Sequence, residues 1–337
     1  MSEGKPERKE DHWYKDMLAY GLPHYWQLLF VLIVAIAAVA LLPVLDWANA
    51  KLGRRTVIVY TSQDHVYAEP IFREFQRQTG IKVRAVYDSE AVKTVGLANR
   101  LLAEKSNPQA DVFWGNEELR TRQLAAQGVF RKEDPWRAFG YRSRRVVVNT
   151  NLLSLSNAPH TLTELTNETW RGKVALAYPL FGTTATHFLA LRQHWGEARW
   201  LAWCRALQTN NPFLVDGNSI VVRLVGKGEA WLGLTDSDDI AAGQREGYPI
   251  AVLPLNEESL LIPNTVAIVR GARHPTEAQQ LFEHLRSPGV LDRLVAANAL
   301  EGETSANISP PALKPDWDAL LRDLETGTAE LKRLFLR

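Results

Sequence analysis

A chain of 337 residues, 46% apolar and 23% charged, has ordinary globular composition and room for one large domain or two modest lobes. A formal net charge of +1, with basic runs no longer than Arg54–Arg55 or Arg142–Arg145, excludes a nucleic acid or other polyanion as partner. The single cysteine, Cys204, excludes an internal disulfide and reads as a small buried apolar side chain.

The polar leader, residues 1–24, precedes an apolar segment at 25–47, whose core Leu28–Leu45 (LLFVLIVAIAAVALLPVL) holds no charge. Eighteen helical residues rise about 27 Å, close to the hydrocarbon thickness of a bilayer. Trp26 and Trp47 stand at its ends, where amphipathic rings favour the interface. The run therefore reads as a membrane segment. Its length favours an uncleaved anchor, while Ala48-Asn49-Ala50 supplies the small-x-small site of a cleaved signal. Basic residues flank both ends almost equally, so the run alone leaves its orientation open.

Beyond Arg55 strands and helices alternate. Thr56–Tyr60 is a β-branched strand, 66–78 a helix with Ile71 and Phe75 four apart, and Ile81–Tyr87 a second strand after Thr79-Gly80. Ala91–Lys105 is an amphipathic helix, Ala110–Trp114 a strand and Leu119–Ala126 a helix. An irregular connection near Pro135 leads to a strand at Arg145–Asn149. Strands follow at Val174–Ala177, Ala230–Thr235, Val252–Pro254 and Asn264–Val269, with helices at Ala185–Trp195, Ala198–Leu207 and Asn218–Val225. A helical region runs from Pro275 to the C-terminus. This order predicts an α/β fold with mostly parallel strands covered on both faces. The expected division is one lobe from 56–144 plus 256–337 and a second from 145–255, hinged near Arg145–Asn149 and Val252–Leu255.

Val57–Gly80 (VIVYTSQDHVYAEPIFREFQRQTG), Ala110–Gly128 (ADVFWGNEELRTRQLAAQG), Trp170–Lys173 (WRGK) and Gly228–Asp239 (GEAWLGLTDSDD) resemble the bacterial extracellular solute-binding proteins related to the ferric-ion-binding family. The resemblance covers residues 56 to about 310. It implies a two-lobed periplasmic-binding-protein fold, class II-like, closing on a small-molecule solute and delivering it to an ABC permease. It also places the lobes on the extracytoplasmic face of the cytoplasmic membrane, tethered there through Leu28–Leu45, as a monomer with no cofactor.

In open α/β sheets, ligands gather beyond the carboxyl ends of strands. The candidate loops there carry Ser62 and Asp64, then Ser89, then Asn116 and Glu117, each ahead of a helix whose N–H groups attract anions. Helix capping explains any one of them singly. The second lobe offers Thr183 and Thr184 after Gly182, and Asn218 after Gly217; Arg142 and Ser143 are further contacts for a phosphate or carboxylate. Asp236, Asp238 and Asp239 crowd three carboxylates into four positions, which like-charge repulsion disfavours unless a cation, hydrogen-bond donors or open solvent offsets it.

In the resembled ferric binders two adjacent tyrosines ligate iron, and Asp238 and Asp239 stand in their place here. The family's histidine falls at Asp64, beside His65, and its glutamate at Asn116, beside Glu117. These departures favour a small phosphate- or phosphonate-bearing solute, with an amine or sugar hydroxyls on the aspartates. Ferric ion, and a membrane-anchored sensor without transport, are the alternatives. No HExxH, GxSxG or Walker loop points to an enzyme, and His187 reads as a helix-face or hinge residue rather than a base.

Overall fold

The computed structural model describes residues 29–34, 55–88, 95–303 and 312–336. Residues 29–34 are helical with exposed side chains. The polar leader, the remainder of the apolar run and Ala48-Asn49-Ala50 lie outside the described residues. Among the described residues no helix is long and apolar enough to cross a membrane.

From Thr56 onward the chain forms one compact unit. Its first sheet has the order β2-β1-β3-β9-β4. Strands β1 (Thr56–Thr61), β2 (Lys82–Tyr87) and β3 (Val112–Gly115) run parallel, and β9 (Leu261–Ile268) runs antiparallel to both β3 and β4 (Arg137–Asn149). Alternation along each strand supplies two cores, one per face. Val57, Val59, Val112, Trp114, Val266 and Ile268 face α1 (His65–Thr79), α8 (Pro275–Leu285) and α9 (Pro288–Ala296). Tyr60, Phe113 and Ala267 face α2 (Val95–Ala103) and α3 (Glu118–Ala126). Gly80 ends α1 in the left-handed region, at φ 70°, with its N–H on the Gln76 carbonyl.

The second sheet has the order β8-β4-β7-β5-β6. Parallel β5 (Val174–Ala177), β6 (Phe213–Val215) and β7 (Leu232–Asp236) lie beside β4, which β8 (Ile250–Val252) flanks on its other edge. Val148, Leu176 and Leu234 pack toward α4 (Gly182–Trp195) and α5 (Glu197–Thr209), while Val147, Ala175 and Ala177 pack toward α6 (Asn218–Gly226) and α7 (Ser237–Arg245).

Strand β4 belongs to both sheets. Its partner is β9 through Ser143, opposite Leu261, and β7 from Arg144, opposite Asp236. The chain returns from β8 to β9 through residues 253–260. The strand is 13 residues long, where the sequence pattern predicts only Arg145–Asn149. Its first half reads as irregular because Arg142 and Arg144 are charged yet buried, which breaks the apolar alternation.

Among the described residues the final helical region is three helices, and the last reaches beyond the first lobe. Helices α8 and α9 cover the first sheet. Helix α10 (Trp317–Phe335), expected with the first lobe, meets Arg122 of α3 there through Trp317 and Asp318, and also packs Leu320, Leu324, Leu331 and Phe335 into the core built on Phe188 of α4 and Trp203 of α5. Its apolar stripe is too wide for solvent, and these two helices offer the matching face. The Phe335 ring meets Phe188 edge-on at 5.7 Å.

Candidate functional site

Strands β1, β3, β5, β6 and β7 end toward one cavity of about 40 Å³ between the two lobes. Nine residues singled out in the sequence line it: Asp64, Asn116, Arg142, Thr183, Thr184, Asn218, Asp236, Asp238 and Asp239. Asp64 and Asn116 come from the first lobe, Arg142 from the shared strand, and the rest from the second.

Asp236 closes β7 and is the most heavily engaged of the aspartates. Arg144 Nη1 donates to its Oδ1 at 2.8 Å, and Thr183 Oγ1 to its Oδ2 at 2.8 Å. Asn218 Nδ2 donates at 3.2 Å and Arg142 Nη2 at 3.3 Å. Burial alone raises this carboxyl, but the Arg144 and Arg142 guanidiniums outweigh it and hold Asp236 below the usual carboxylate range. Arg142 is also fully buried. Burial opposes its charge, while Asp238 and Asp236 beside it push its pKa up. Arg142 Nε lies 3.4 Å from Asp238 Oδ1, and its Nη1 donates to Asn264 Oδ1 at 3.4 Å.

The crowded acidic turn is therefore neither a solvated loop nor a bare carboxylate cluster. Asp236 is consumed in holding two arginines. Asp238 is buried against Arg142, and Asp239 and Asp64 are partly exposed. Ligand atoms of Asp236, Asp238 and Asp239 lie within 4.8 Å of one another. With Asp216 the cavity wall holds, among the described residues, five carboxylates against the guanidiniums of Arg142 and, behind Asp236, Arg144, so its field favours positive charge.

Helix N-termini supply the opposite preference. Helices α4, α6 and α7 all begin at this cavity, and the side chains of their first flanking residues, Phe181, Gly217 and Asp236, make no capping hydrogen bond. Their first N–H groups point a positive dipole end into the wall. A cationic centre and an oxyanion can thus be held side by side.

Four expected site residues stand apart. Glu117 is wholly buried and caps α3, accepting from the N–H of Leu119 at 2.8 Å and of Arg120 at 2.9 Å. It also accepts from Thr186 Oγ1 of α4 at 3.2 Å, and burial pushes its carboxyl up. It does not line the cavity because the helix start claims it. Ser62 Oγ accepts from the Asn116 N–H at 2.9 Å, tying the β1 loop to the β3 loop. Ser143 lies between Arg142 and Arg144, on the opposite face of β4, where it donates to Glu301 at 2.5 Å. Ser89 lies outside the described residues.

Tyr178, Phe181 and Asp216 line the cavity without having been singled out. Asp216 directly follows β6, so its place at a strand's carboxyl end was a usable signal once that three-residue strand is recognised. His187 is a buried contact to the segment between lobes: its Nε2 lies 2.7 Å from the Glu258 carbonyl oxygen.

The model of a family described as bacterial extracellular solute-binding protein matches residues 56–296. The major ferric iron-binding protein of Neisseria meningitidis serogroup A is 26% identical over 270 residues, 72% of this chain and 79% of that one. Among solved structures, iron-bound HitA from Pseudomonas aeruginosa superposes with a TM-score of 0.72 at 20% identity, covering 84% of this chain and 100% of that one. The periplasmic binding protein AfuA from Actinobacillus pleuropneumoniae, with fructose-6-phosphate bound, gives 0.69 at 20% identity, covering 84% and 99%. The two likenesses establish a shared two-lobed α/β fold.

Proposed function

The chain belongs to the bacterial extracellular solute-binding proteins, and from that premise we propose that it captures a small zwitterionic solute outside the cytoplasmic membrane for an ABC permease. It is a binding protein rather than an enzyme. The observation that carries the ligand class is the shared cavity wall, with five carboxylates and three helix N-termini around about 40 Å³. Asp238 and Asp239 take the cationic centre. The N–H groups opening α4 and α6 take a phosphate- or phosphonate-type head, helped by Thr184 and Asn218. At this degree of closure the cavity has room for about three water molecules, so the solute is small or the lobes close less far around it.

A second reading is ferric ion. The close approach of Asp236, Asp238 and Asp239 favours it, as do the ferric-binding relatives. Ferric ion accepts hard carboxylate oxygen. Against it, both Asp236 oxygens already carry donors.

Calorimetry with aminoalkylphosphonates, hexose phosphates and ferric citrate separates the two. The proposal expects an aminoalkylphosphonate to bind and Asp239→Asn to weaken it about tenfold or more, as loss of one partner in a desolvated charge pair does. Saturation by ferric ion with every organic solute silent sinks it. The apolar run Leu28–Leu45 completes the proposal as the tether that keeps the lobes beside their permease.

A further inference from the structure

A second cavity, of about 470 Å³, lies where β4, β7 and α4 meet residues 253–260. It shares no lining residue with the cavity between the lobes. Its wall is largely aliphatic, with Val146, Leu162, Leu234 and Leu253 among the lining. Leu155 and Val252 also line it and remain exposed. A concave apolar site of this volume suits a small organic molecule and not a bare ion.

Polar residues also line it: Arg145, Thr161, Asn256, Glu258 and Ser259 are hydrogen-bonded to their neighbours, and Arg144 and His187 stand apart from them. Arg144 and His187 are both wholly buried, and Arg144 Nε and His187 Nδ1 have no hydrogen-bond partner among the described residues. The other nitrogens of each are committed. Arg144 Nη1 holds Asn218 and Asp236, and its Nη2 donates to the Leu234 carbonyl at 3.3 Å. His187 Nε2 faces a carbonyl oxygen, which only accepts, so Nε2 carries the proton. Burial, reinforced by Arg144, holds the His187 pKa down to about 3, so Nδ1 is an unprotonated acceptor. Buried polar groups are satisfied as a rule, and here an unsatisfied donor and an unsatisfied acceptor belong to two side chains that line one largely apolar cavity.

We propose that this cavity is a second ligand site, taking an uncharged organic molecule that carries a hydroxyl on an apolar body. A hydroxyl can accept from Arg144 Nε–H and donate to His187 Nδ1. A carboxylate sets lone pairs against Nδ1, and an ammonium meets the Arg144 guanidinium. The occupant also bears on capture of solute. It touches the segment that returns the chain to the first lobe, and Arg144's far edge fixes Asp236 in the cleft.

The test uses the full chain in nanodiscs, with empty discs as control, and three probes of one shape: 2-phenylethanol, ethylbenzene and phenylacetate. Saturation-transfer NMR and calorimetry read binding. The expected order is 2-phenylethanol first, ethylbenzene about fivefold weaker for want of the hydroxyl, and phenylacetate weaker still. Ala158→Phe fills the cavity and Leu155→Lys places a charge among its exposed lining; each lowers affinity for 2-phenylethanol at least about tenfold. Leu155 is 52% exposed, so its variant keeps the test valid if Ala158→Phe fails to fold. His187→Phe abolishes the preference for 2-phenylethanol over ethylbenzene. Binding no greater than to empty discs overturns the proposal, as does wild-type affinity in Leu155→Lys.

Discussion

Asp236 and Asp239 stand three residues apart and do different work. Asp236 neutralises two buried arginines, so Asp236→Asn leaves them short of a charge and should cost about 3–5 kcal/mol of stability in denaturant unfolding. Asp239→Asn removes a carboxylate from the first turn of α7 and should cost only about 1 kcal/mol of stability, with its larger effect in solute affinity. His187 adds a pH term. Its folded pKa lies at about 3 against about 6.5 unfolded, so below pH 6.5 the unfolded chain binds a proton that the fold does not. This group's contribution therefore lowers stability as pH drops, by about 2 kcal/mol between pH 7 and pH 5, and His187→Phe removes that contribution in parallel unfolding titrations. Sequence spacing located the acidic turn and the loops ahead of the helices. It could not rank the carboxylates, because Asp236 meets an arginine of the adjoining strand, 92 positions away in sequence, whereas Glu117 is taken up locally by the start of its own helix.

At the level of elements, periodicity was most legible where one face is dry and the other wet. Helix α1 falls within a residue of its predicted bounds for that reason, and strand β5, buried on both faces, matches its bounds as a short apolar run. Strand β4 was half hidden because its buried positions are arginines, and β6 because three residues carry too little pattern. Helix α10 was readable as a helix but not as a neighbour of α4 and α5, since an apolar stripe does not name its partner. Leu331, wholly buried in that contact, makes the packing testable: Leu331→Ala should cost about 2–5 kcal/mol by thermal or denaturant unfolding. Gly140 is a sharper case. It sits at φ 62° where the β4–β9 register shifts, and a Cβ there would collide with Leu300. Gly140→Ala combines a disfavoured backbone with that clash and should lower the melting temperature more than an alanine placed at exposed Gly289, where nothing lies within 4 Å.

For the whole molecule, ligand capture and folding are linked. A solute that binds only the folded lobes adds about 2.7 kcal/mol at a hundred times its dissociation constant, so a thermal-shift panel reads out ligand class directly. The proposed tether has its own assay: alkaline carbonate washing should leave the full chain with the membranes and release a chain cut after Ala50. The passage of β4 from one sheet to the other carries a mechanical consequence. A paired strand resists stretching and sideways shear, yet twists over tens of degrees at small cost. The lobes are thus joined by a torsion bar instead of a slack cord. Opening about this strand is expected to proceed by twist, so distances between labels placed on the two lobes should change along one direction when solute is added.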